Sequence, residues 1–479
     1  MNPLLVEVMR GGVMESSHCG ALAVLDADGA VVAQLGDIDH PIFPRSAVKV
    51  LQALPLVASG AADQLGLNDE ELALACASHG GEEVHAQTVA KMLAKAGLDA
   101  DALECGAHWP YLESAARTLA VRGQAPSALH NNCSGKHAGF LCMACALHGT
   151  GPNLRQYVRG YVGPEHPVMR EVTASLQATT GFDLAKTACG TDGCSIPTYA
   201  IPLRHLAQAF ARVGTGTGLS RGHAQAARRL RAAVAEAPYM VAGSGRFDTR
   251  VMQQLGERVF CKVGAEGVFC AALPELGVGV AIKIDDGNNA RACEVVMAAV
   301  IETFLPLDDE GARLMRSLSD ASLTNWNGIE VSRLRAAPCC ARCGHEESGR
   351  HTALALVGRW RSARACRAAR RRSDLRAVDA ALWRQAHRRA AGACTGQPAV
   401  PERCFCEPAA TGQLPRCRCV GPDHRAVLRR RSARAAVGHS GARHRARHAE
   451  GTACLINPAR VLDRPCQRVH RDRRPAFAG

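Results

Sequence analysis

The sequence predicts an α+β fold in which strands from both ends of one domain form an antiparallel sheet, with a helical lobe inserted between them. Apolar runs bounded by turn residues occur at 4–35 and return at 259–284. The segment between these runs has helical spacing. The composition then changes near Ala337, where the sequence predicts a poorly folded basic tail.

The elements follow in chain order. Strands are predicted at 4–9, 21–25 and 31–35. Asn68 is a good helix N-cap, and helices are predicted at 70–77, 82–96, 136–147, 169–179, 203–213 and 222–235. Strands at 259–263, 267–273 and 278–284 complete the sheet, and an amphipathic helix at 290–304 closes the domain. A ligand site is expected in the cleft between the sheet and the helical lobe.

The charge of the chain divides at the same place as its composition. The 479 residues carry a formal net charge of +14. Residues 338–479 contain 30 Arg, no Lys and 10 acidic residues, which gives this segment +20 and leaves −6 for the rest. We therefore divide the chain into a domain at 1–336 and a tail at 337–479. The acidic domain does not have the basic surface of a nucleic-acid-binding protein.

The tail has the composition of a chain that does not fold. Only 19 of the 142 residues after Ala337 are Leu, Ile, Val or Phe, which is too few to bury a core. Lys, Met and Tyr are absent, and these residues use AT-rich codons. We hypothesise that the segment is a GC-rich gene read out of frame, which re-reading the coding DNA would test. The alternative is an Arg-rich tail that binds nucleic acid only non-specifically.

The cysteines and the N-terminus indicate the compartment. The 11 Cys before the tail are odd in number and scattered, a pattern that favours reduced thiols over a disulfide framework. Residues 1–12 do not resemble a secretory signal, and no apolar stretch reaches about 18 residues. We expect a cytoplasmic protein that makes no use of a membrane.

Two Ser/Lys pairs are candidates for nucleophilic catalysis. Ser46 and Lys49 are three residues apart at the start of a helix, so both side chains lie on one face. A lysine whose amine is desolvated can take the proton of a neighbouring serine. Lys262 starts a Lys-Val-Gly sequence on a late strand, where Ser-x-x-Lys hydrolases carry a Lys-Thr/Ser-Gly element. Ser78, which follows an apolar helix, would form the second pair with Lys262. The alternatives are an N-cap serine beside a solvated lysine and a turn serine.

A polar cluster precedes the helix at 136–147. Cys133 and Lys136 have the spacing of a Cys-x-x-Cys knuckle, although lysine replaces the second thiol. Cys194 ends a later Gly-Thr-Asp-Gly turn, and Cys189 offers a second thiol nearby. Zinc binds thiolates readily and a lysine only when the amine is neutral, so a helix-capping loop and a buried turn remain alternatives.

The domain resembles the L-asparaginase II family, whose members have a serine-β-lactamase/glutaminase-like fold. The matching motifs occur in the family's order over roughly 3–335: Arg-Ser-Ala-Val-Lys from Arg45, Cys-Ala-Ser-His from Cys76, Asn-Cys-Ser-Gly-Lys-His from Asn132, Gly-Thr-Asp-Gly-Cys from Gly190, Pro197, Lys262 with Gly264, and Lys-Ile-Asp-Asp-Gly-Asn from Lys283.

This resemblance implies hydrolysis of L-asparagine to L-aspartate and ammonia. Ser46 would attack the side-chain amide and Lys49 would accept its proton, with Ser78 and Lys262 as the second pair. The resemblance also implies a zinc ion, an assembly into a homodimer and several further site residues. Zinc would be held by Cys133, Lys136 and Cys194, and the charged ends of the substrate by Arg45, His137 and Asp192.

Two alternative functions remain. One is a related Ser-x-x-Lys amidase, such as a glutaminase or a β-lactam-binding protein. The other is a catalytically inactive protein that binds zinc or nucleic acid. Comparing the turnover of asparagine, glutamine and a chromogenic β-lactam would separate them.

Overall fold

The structure is a computed structural model that describes residues 1–149, 151 and 153–338. Apart from its first two positions, the predicted tail at 337–479 lies outside the described residues. The hypotheses about that segment therefore stay predictions.

The described part contains both strands and helices. The strands are β1 (Leu4–Arg10), β2 (Val13–Asp26), β3 (Val31–Leu35), β4 (Pro41–Ile42), β5 (Cys189–Thr191), β6 (Pro197–Tyr199), β7 (Ile201–Pro202), β8 (Phe260–Val263), β9 (Val268–Leu273), β10 (Val278–Ile284), β11 (Asp320–Thr324) and β12 (Glu330–Ala336). The α-helices are α1 (Lys49–Ala58), α2 (Ala61–Gln64), α3 (Asp69–Ala75), α4 (Glu83–Lys95), α5 (Glu113–Val121), α6 (Ser134–His148), α7 (Leu154–Tyr157), α8 (Pro167–Thr180), α9 (Leu203–Thr215), α10 (Arg221–Glu236), α11 (Tyr239–Ala242), α12 (Phe247–Leu255), α13 (Glu294–Phe304) and α14 (Asp309–Ser319).

The main sheet joins strands from both ends of the domain. Its order is β11-β12-β1-β2-β10-β9-β8, and β3 pairs with β2. All of these pairings are antiparallel. The first part of β2 pairs with β1, and its buried apolar part at 20–26 pairs with β10. This topology confirms the predicted α+β fold with a helical lobe between N- and C-terminal strands.

Several predicted helices agree with the structure to within about two residues at each end. The N-cap of α3 forms as predicted, because the Asn68 side chain accepts a hydrogen bond from Glu71 N at 3.0 Å. The Glu71 carboxylate in turn accepts a hydrogen bond from Asn68 N at 2.8 Å, which completes a capping box. Local sequence signals therefore determine where this helix begins.

The helix predicted at 290–304 is present, but it is not amphipathic and it does not close the domain. The segment starts with a π-helical turn at Asn289–Cys293 and continues as α13, whose residues 295–301 are all buried. The chain then forms α14, β11 and β12, and β12 pairs with β1 at the register Val6↔Ala336. A helix that is packed on most sides lacks the polar face, opposite an apolar one, by which a surface helix is recognised.

Two close approaches bring the helical lobe to the end of β8. A Cβ at Gly264, just after β8, would lie 2.8 Å from Pro44 O, so the chain before Ser46 packs directly against this strand. A Cβ at Gly135 in α6 would lie 2.3 Å from Leu74 O in α3. Glycine at these two positions lets three segments that carry candidate site residues meet.

No helix in the described part of the chain is long and apolar enough to cross a membrane.

Candidate active site

Ser46 lies in a strained turn at the start of a helix. A one-turn 3-10 helix at Arg45–Val48 leads into α1, and it packs against β8 and β9. Arg45 has φ = +52°, a left-handed conformation that is uncommon for any residue except glycine. Such strain is held in place by the surrounding structure and is typical of functional turns. Ser46 itself is half-buried, so its hydroxyl is not sealed in the core.

Lys49 is a buried lysine that reaches the second candidate serine. Its side chain is 1% exposed. The Lys49 Nζ donates hydrogen bonds to Ser78 Oγ at 2.8 Å and to Ala77 O at 2.5 Å, and a longer one to Asn132 O at 3.4 Å. No hydrogen bond joins Lys49 to Ser46 within the residues that the structure describes. Lys49 therefore links the helix start to the Ser78 segment.

Ser78 is positioned from both sides of its backbone. Its N–H donates to Val241 O at 2.8 Å. The next residue, His79, is fully buried, and its ring contacts Ser134 Oγ at 2.9 Å and accepts from Gly81 N at 3.2 Å. Burial, reinforced by the charges of His85 and Lys49, lowers the pKa of His79 well below its usual range. His79 is thus neutral, and its ring contacts fix the backbone next to Ser78.

Lys262 is the most deeply buried of the candidate bases. It lies on β8 opposite Cys270 and has no exposed surface. Its Nζ donates to its neighbour's carbonyl, Val263 O, at 2.7 Å. Burial lowers the pKa of Lys262 to about 7, although the charge of Asp248 opposes this. A lysine with such a pKa can exchange a proton near neutral pH. No hydrogen bond joins Lys262 to Ser78 in the part described.

The predicted zinc ligands meet in the structure. Lys136 Nζ lies 2.9 Å from Cys194 Sγ, and both side chains are buried. The Cys133 and Cys194 thiols interact directly, which lowers the pKa of Cys133 well below its usual range and raises that of Cys194. Cys189, the alternative thiol, is exposed. Two sulfurs and an amine therefore converge on one buried point.

This donor set fits zinc, which binds sulfur and nitrogen. Burial acts to lower the pKa of Lys136, but Cys194 and Cys133 raise it above its usual value. Zinc would have to displace that proton, as metal binding commonly does. No group of three His, Cys, Asp or Glu side chains among the described residues could hold a metal ion. The set therefore depends on the amine of Lys136.

Two of the three predicted substrate-binding residues form an ion pair. Arg45 Nε donates to Asp192 Oδ1 at 2.5 Å. Burial would raise the pKa of Asp192, but the charges of Lys136 and Arg45 outweigh it and hold that pKa below its usual value. Asp192 Oδ2 also lies 3.7 Å from Cys194 Sγ. The ion pair therefore lies between the strained turn and the cysteine cluster.

The third predicted substrate-binding residue, His137, lies deeper. It has no exposed surface, and its Nδ1 is 2.5 Å from Tyr161 OH. Burial, together with the charges of Lys136 and Lys49, lowers the pKa of His137 well below its usual range. The structure does not bring this side chain to an open cleft, so its contact with substrate stays a prediction.

Sequence reasoning missed two carboxylates: Asp248, whose charge acts on Lys262, and Glu294, on which Asp248 acts in turn. Asp248 on α12 is fully buried, and its Oδ1 accepts from Val263 N at 2.9 Å. Glu294 starts α13, and burial together with the charge of Asp248 raises its pKa to about 7. A signal for Asp248 was present, because a lone carboxylate interrupts the apolar face formed by Phe247, Val251 and Met252.

Comparison with known proteins identifies the family. The sequence profile of the L-asparaginase II family matches residues 6–336. The chain belongs to this family. The match spans all the site residues described above, and it supports an asparaginase-like amidohydrolase. No curated protein matches the chain significantly.

Solved structures also show similarity to the chain. A beta-lactamase from Mycobacterium bovis has 14% identity and a TM-score of 0.30, over 58% of this chain and 90% of that one. A protein titled Mglu has 16% identity and a TM-score of 0.27, over 57% of this chain and 64% of its own. Its tris and glutamate form has 17% identity and a TM-score of 0.26, over 61% of each chain. The chain thus matches less than two thirds of Mglu, and similarities this low carry no argument about function.

Proposed function

We propose that the protein is an L-asparaginase that hydrolyses L-asparagine to L-aspartate and ammonia through a Ser/Lys-activated nucleophile. The observation that carries this proposal is the 2.8 Å hydrogen bond from Lys49 Nζ to Ser78 Oγ, beside the strained turn of Ser46 and the buried Lys262. Membership of the L-asparaginase II family supports the choice of asparagine over other amides.

In the proposed first step, Ser46 Oγ attacks the side-chain amide carbon of asparagine. The serine proton passes to Lys49, directly or through Ser78, because Lys49 already contacts the Ser78 hydroxyl. The backbone N–H groups of Arg45 and Ser46 precede the first hydrogen bond of the turn, which Ala47 N donates to Pro44 O, so they are suited to stabilise the oxyanion. The amide nitrogen takes up a proton and leaves as ammonia, while Ser46 keeps the aspartyl group as an ester.

In the second step, water attacks that ester and L-aspartate leaves. A water molecule needs a base, and Lys262 has a pKa of about 7 because it is buried. Ser78, which is hydrogen-bonded to Lys49, would carry the proton between the lysines. The regenerated Ser46 hydroxyl receives a proton, so the cycle releases one aspartate and one ammonia for each water consumed.

Cys133, Lys136 and Cys194 would hold a zinc ion. When bound, zinc supplies a positive charge that orients the substrate and polarises its polar groups. The Arg45–Asp192 pair lies next to this cluster, since Asp192 Oδ2 is 3.7 Å from Cys194 Sγ. Asp192 would bind the substrate's ammonium group, which is the positive end of an amino acid.

The first experiment uses the full chain and three substrates. We expect ammonia release from L-asparagine, much less from L-glutamine, and no hydrolysis of a chromogenic β-lactam. Preference for glutamine or for the β-lactam would replace this function with a related amidase. No turnover of any of the three would favour the inactive zinc- or nucleic-acid-binding alternative.

The second experiment assigns the nucleophile. Ser46→Ala should lose at least about 1,000-fold in kcat, because the attacking oxygen is removed. Ser114→Ala, on the exposed helix α5, is the control and should leave kcat unchanged. If Ser46→Ala stays active while Ser78→Ala is inactive, Ser78 is the nucleophile and the roles of the two serines are reversed.

A further inference from the structure

Arg246 is a cation whose position is fixed from both sides. It is the N-cap residue of α12, and the chain around it joins the two candidate Ser/Lys pairs. Two residues earlier, Ser244 donates two hydrogen bonds to the Glu82 carboxylate, from N at 2.9 Å and from Oγ at 2.7 Å. Two residues later, Asp248 accepts from Val263 N, next to Lys262. Hydrogen bonds on both sides of Arg246 therefore hold its segment between Glu82, four residues after Ser78, and strand β8.

The Arg246 guanidinium is half-buried and makes no hydrogen bond or ion pair with any described residue. The contrast with the other arginine of the site is direct, because Arg45 is neutralised by Asp192 at 2.5 Å. Lys49, Lys136 and Lys262 are all buried and already donate to protein atoms. Among the site's cations in the described part, Arg246 alone has its five donors free.

The charge of Arg246 acts on other groups of the candidate site. It acts on Lys262 and on Tyr111, and Tyr111 is also within electrostatic range of Arg45 and Cys133. Tyr111 is 62% exposed and stacks on His108 with ring centroids 4.6 Å apart. The charges of Arg45, Cys133 and Arg246 therefore all act on the one exposed ring of Tyr111.

Glu294 is a nearby carboxylate, and it does not neutralise Arg246. The two side chains form no ion pair within the described residues, although the charge of Arg246 acts on Glu294. Burial and Asp248 raise the pKa of Glu294 to about 7, so this group carries only part of a negative charge near neutral pH. The free guanidinium is therefore available to an anion that enters from outside.

We propose that Arg246 binds the α-carboxylate of the amino-acid substrate and thereby selects free amino-acid amides over amides that lack this carboxylate. The proposal rests on the proposed asparaginase function. A guanidinium presents two parallel N–H groups that match the two oxygens of a carboxylate. With the ammonium group at Asp192 and the carboxylate at Arg246, both charged groups on the α-carbon of asparagine are bound and its side-chain amide is left for Ser46.

The test compares L-asparagine with its α-methyl ester, which keeps the side-chain amide and loses the negative charge. Ammonia release gives kcat and KM for the full-length wild type, Arg246→Gln, Arg246→Lys and Arg250→Gln. Arg250 is the matched control, an exposed arginine one turn later on α12.

We expect Arg246→Gln to raise the KM for asparagine by about 30-fold with little change in kcat, as for a lost hydrogen bond to a charged group. Its preference for asparagine over the ester should disappear. Arg246→Lys should recover part of the preference, and Arg250→Gln should behave like the wild type. If Arg246→Gln keeps the wild-type preference, or if Arg250→Gln loses it equally, the assignment is wrong.

A failure of the proposed function gives a different result, in which wild-type protein releases no ammonia from either compound. Calorimetric binding of L-asparagine then tests Arg246 without catalysis. Binding to the wild type that weakens by about 30-fold in Arg246→Gln supports the carboxylate contact. Equal binding by both proteins, or no binding by the wild type, overturns it.

Discussion

The lysines of the two candidate Ser/Lys pairs are both buried, but they differ in how they are held. Lys49 donates to three oxygens, from Ala77, Ser78 and Asn132, so its amine has a fixed position. Lys262 donates to one carbonyl, and burial lowers its pKa to about 7. The difference indicates two tasks: Lys49 aligns hydroxyl groups and accepts the proton of Ser46, and Lys262 exchanges a proton with water near neutral pH.

The largest effect is expected from Lys49→Met. The substitution keeps most of the side-chain volume but removes every donor to Ser78 and to the two carbonyls. We expect kcat for asparagine to fall by at least about 1,000-fold, because the proton acceptor and the alignment are lost together. Lys91→Met, at an exposed position of α4, is the control. Near-wild-type activity of Lys49→Met would remove Lys49 from the mechanism.

Lys262→Met is expected to have a smaller effect with a different signature. If Lys262 is a base with a pKa of about 7, the wild-type rate rises with pH through that value as the amine becomes neutral. The variant should lose about 100-fold in kcat and show no rise near pH 7. Rates measured from pH 5.5 to 9 check this. A variant whose profile keeps the same rise would show that another group titrates there.

Asp248→Asn should shift this profile with a modest change in maximal rate. The carboxylate attracts the charged form of Lys262 and so raises its pKa against the effect of burial. Removing the charge should move the midpoint of the profile to lower pH by about one unit. The amide side chain introduced at position 248 keeps an oxygen that can accept from Val263 N, which preserves the contact with the strand. An unchanged midpoint would contradict the coupling between the two groups.

The stability of the fold should depend on Lys262 as well. Its pKa is lower in the folded protein than in the unfolded chain, so the unfolded chain binds more protons between about pH 7 and pH 10. The free energy of unfolding should therefore rise with pH in that window, by up to about 1.4 kcal/mol per unit from this group. Urea unfolding of wild type and Lys262→Met at pH 7, 8 and 9 measures the difference. Parallel slopes for the two proteins would contradict the low pKa.

Much of the fold was predictable because its signals are local. The apolar runs at β3 and β10 and the capping box at Asn68 each depend on a few neighbouring residues. Helix α5 was missed, and none of its residues is buried in the structure. Strand β12 was missed because its buried positions include Ser332, and its place beside β1 depends on residues more than 300 positions away.

In the candidate site, too, local signals were predictable and contacts between distant residues were not. Motif spacing identified Ser46, Lys49, Cys133 and Lys136, and the structure brings Cys194 to Lys136. The partner of Lys49 is a different matter. Spacing suggested Ser46, whereas the structure places Ser78 Oγ at 2.8 Å from Lys49 Nζ. Contacts across the fold are set by packing at points such as Gly135 and Gly264, which no local pattern reveals.

The zinc ion, the homodimer, the cytoplasmic location and L-asparagine as the substrate stay predictions. For the metal, elemental analysis of purified protein should find about one zinc per chain, and Cys133→Ser should lower this content. Full zinc content in Cys133→Ser would remove this cysteine from the ligand set.

The central claim is that a serine of this chain carries the aspartyl group during asparagine hydrolysis. Full-length protein mixed with L-asparagine and quenched in acid within milliseconds can be digested and analysed by mass spectrometry. We predict that the peptide containing Ser46 gains the mass of one aspartyl group, and that Ser46→Ala shows no such peptide. Steady turnover with no aspartyl adduct on any serine would contradict it.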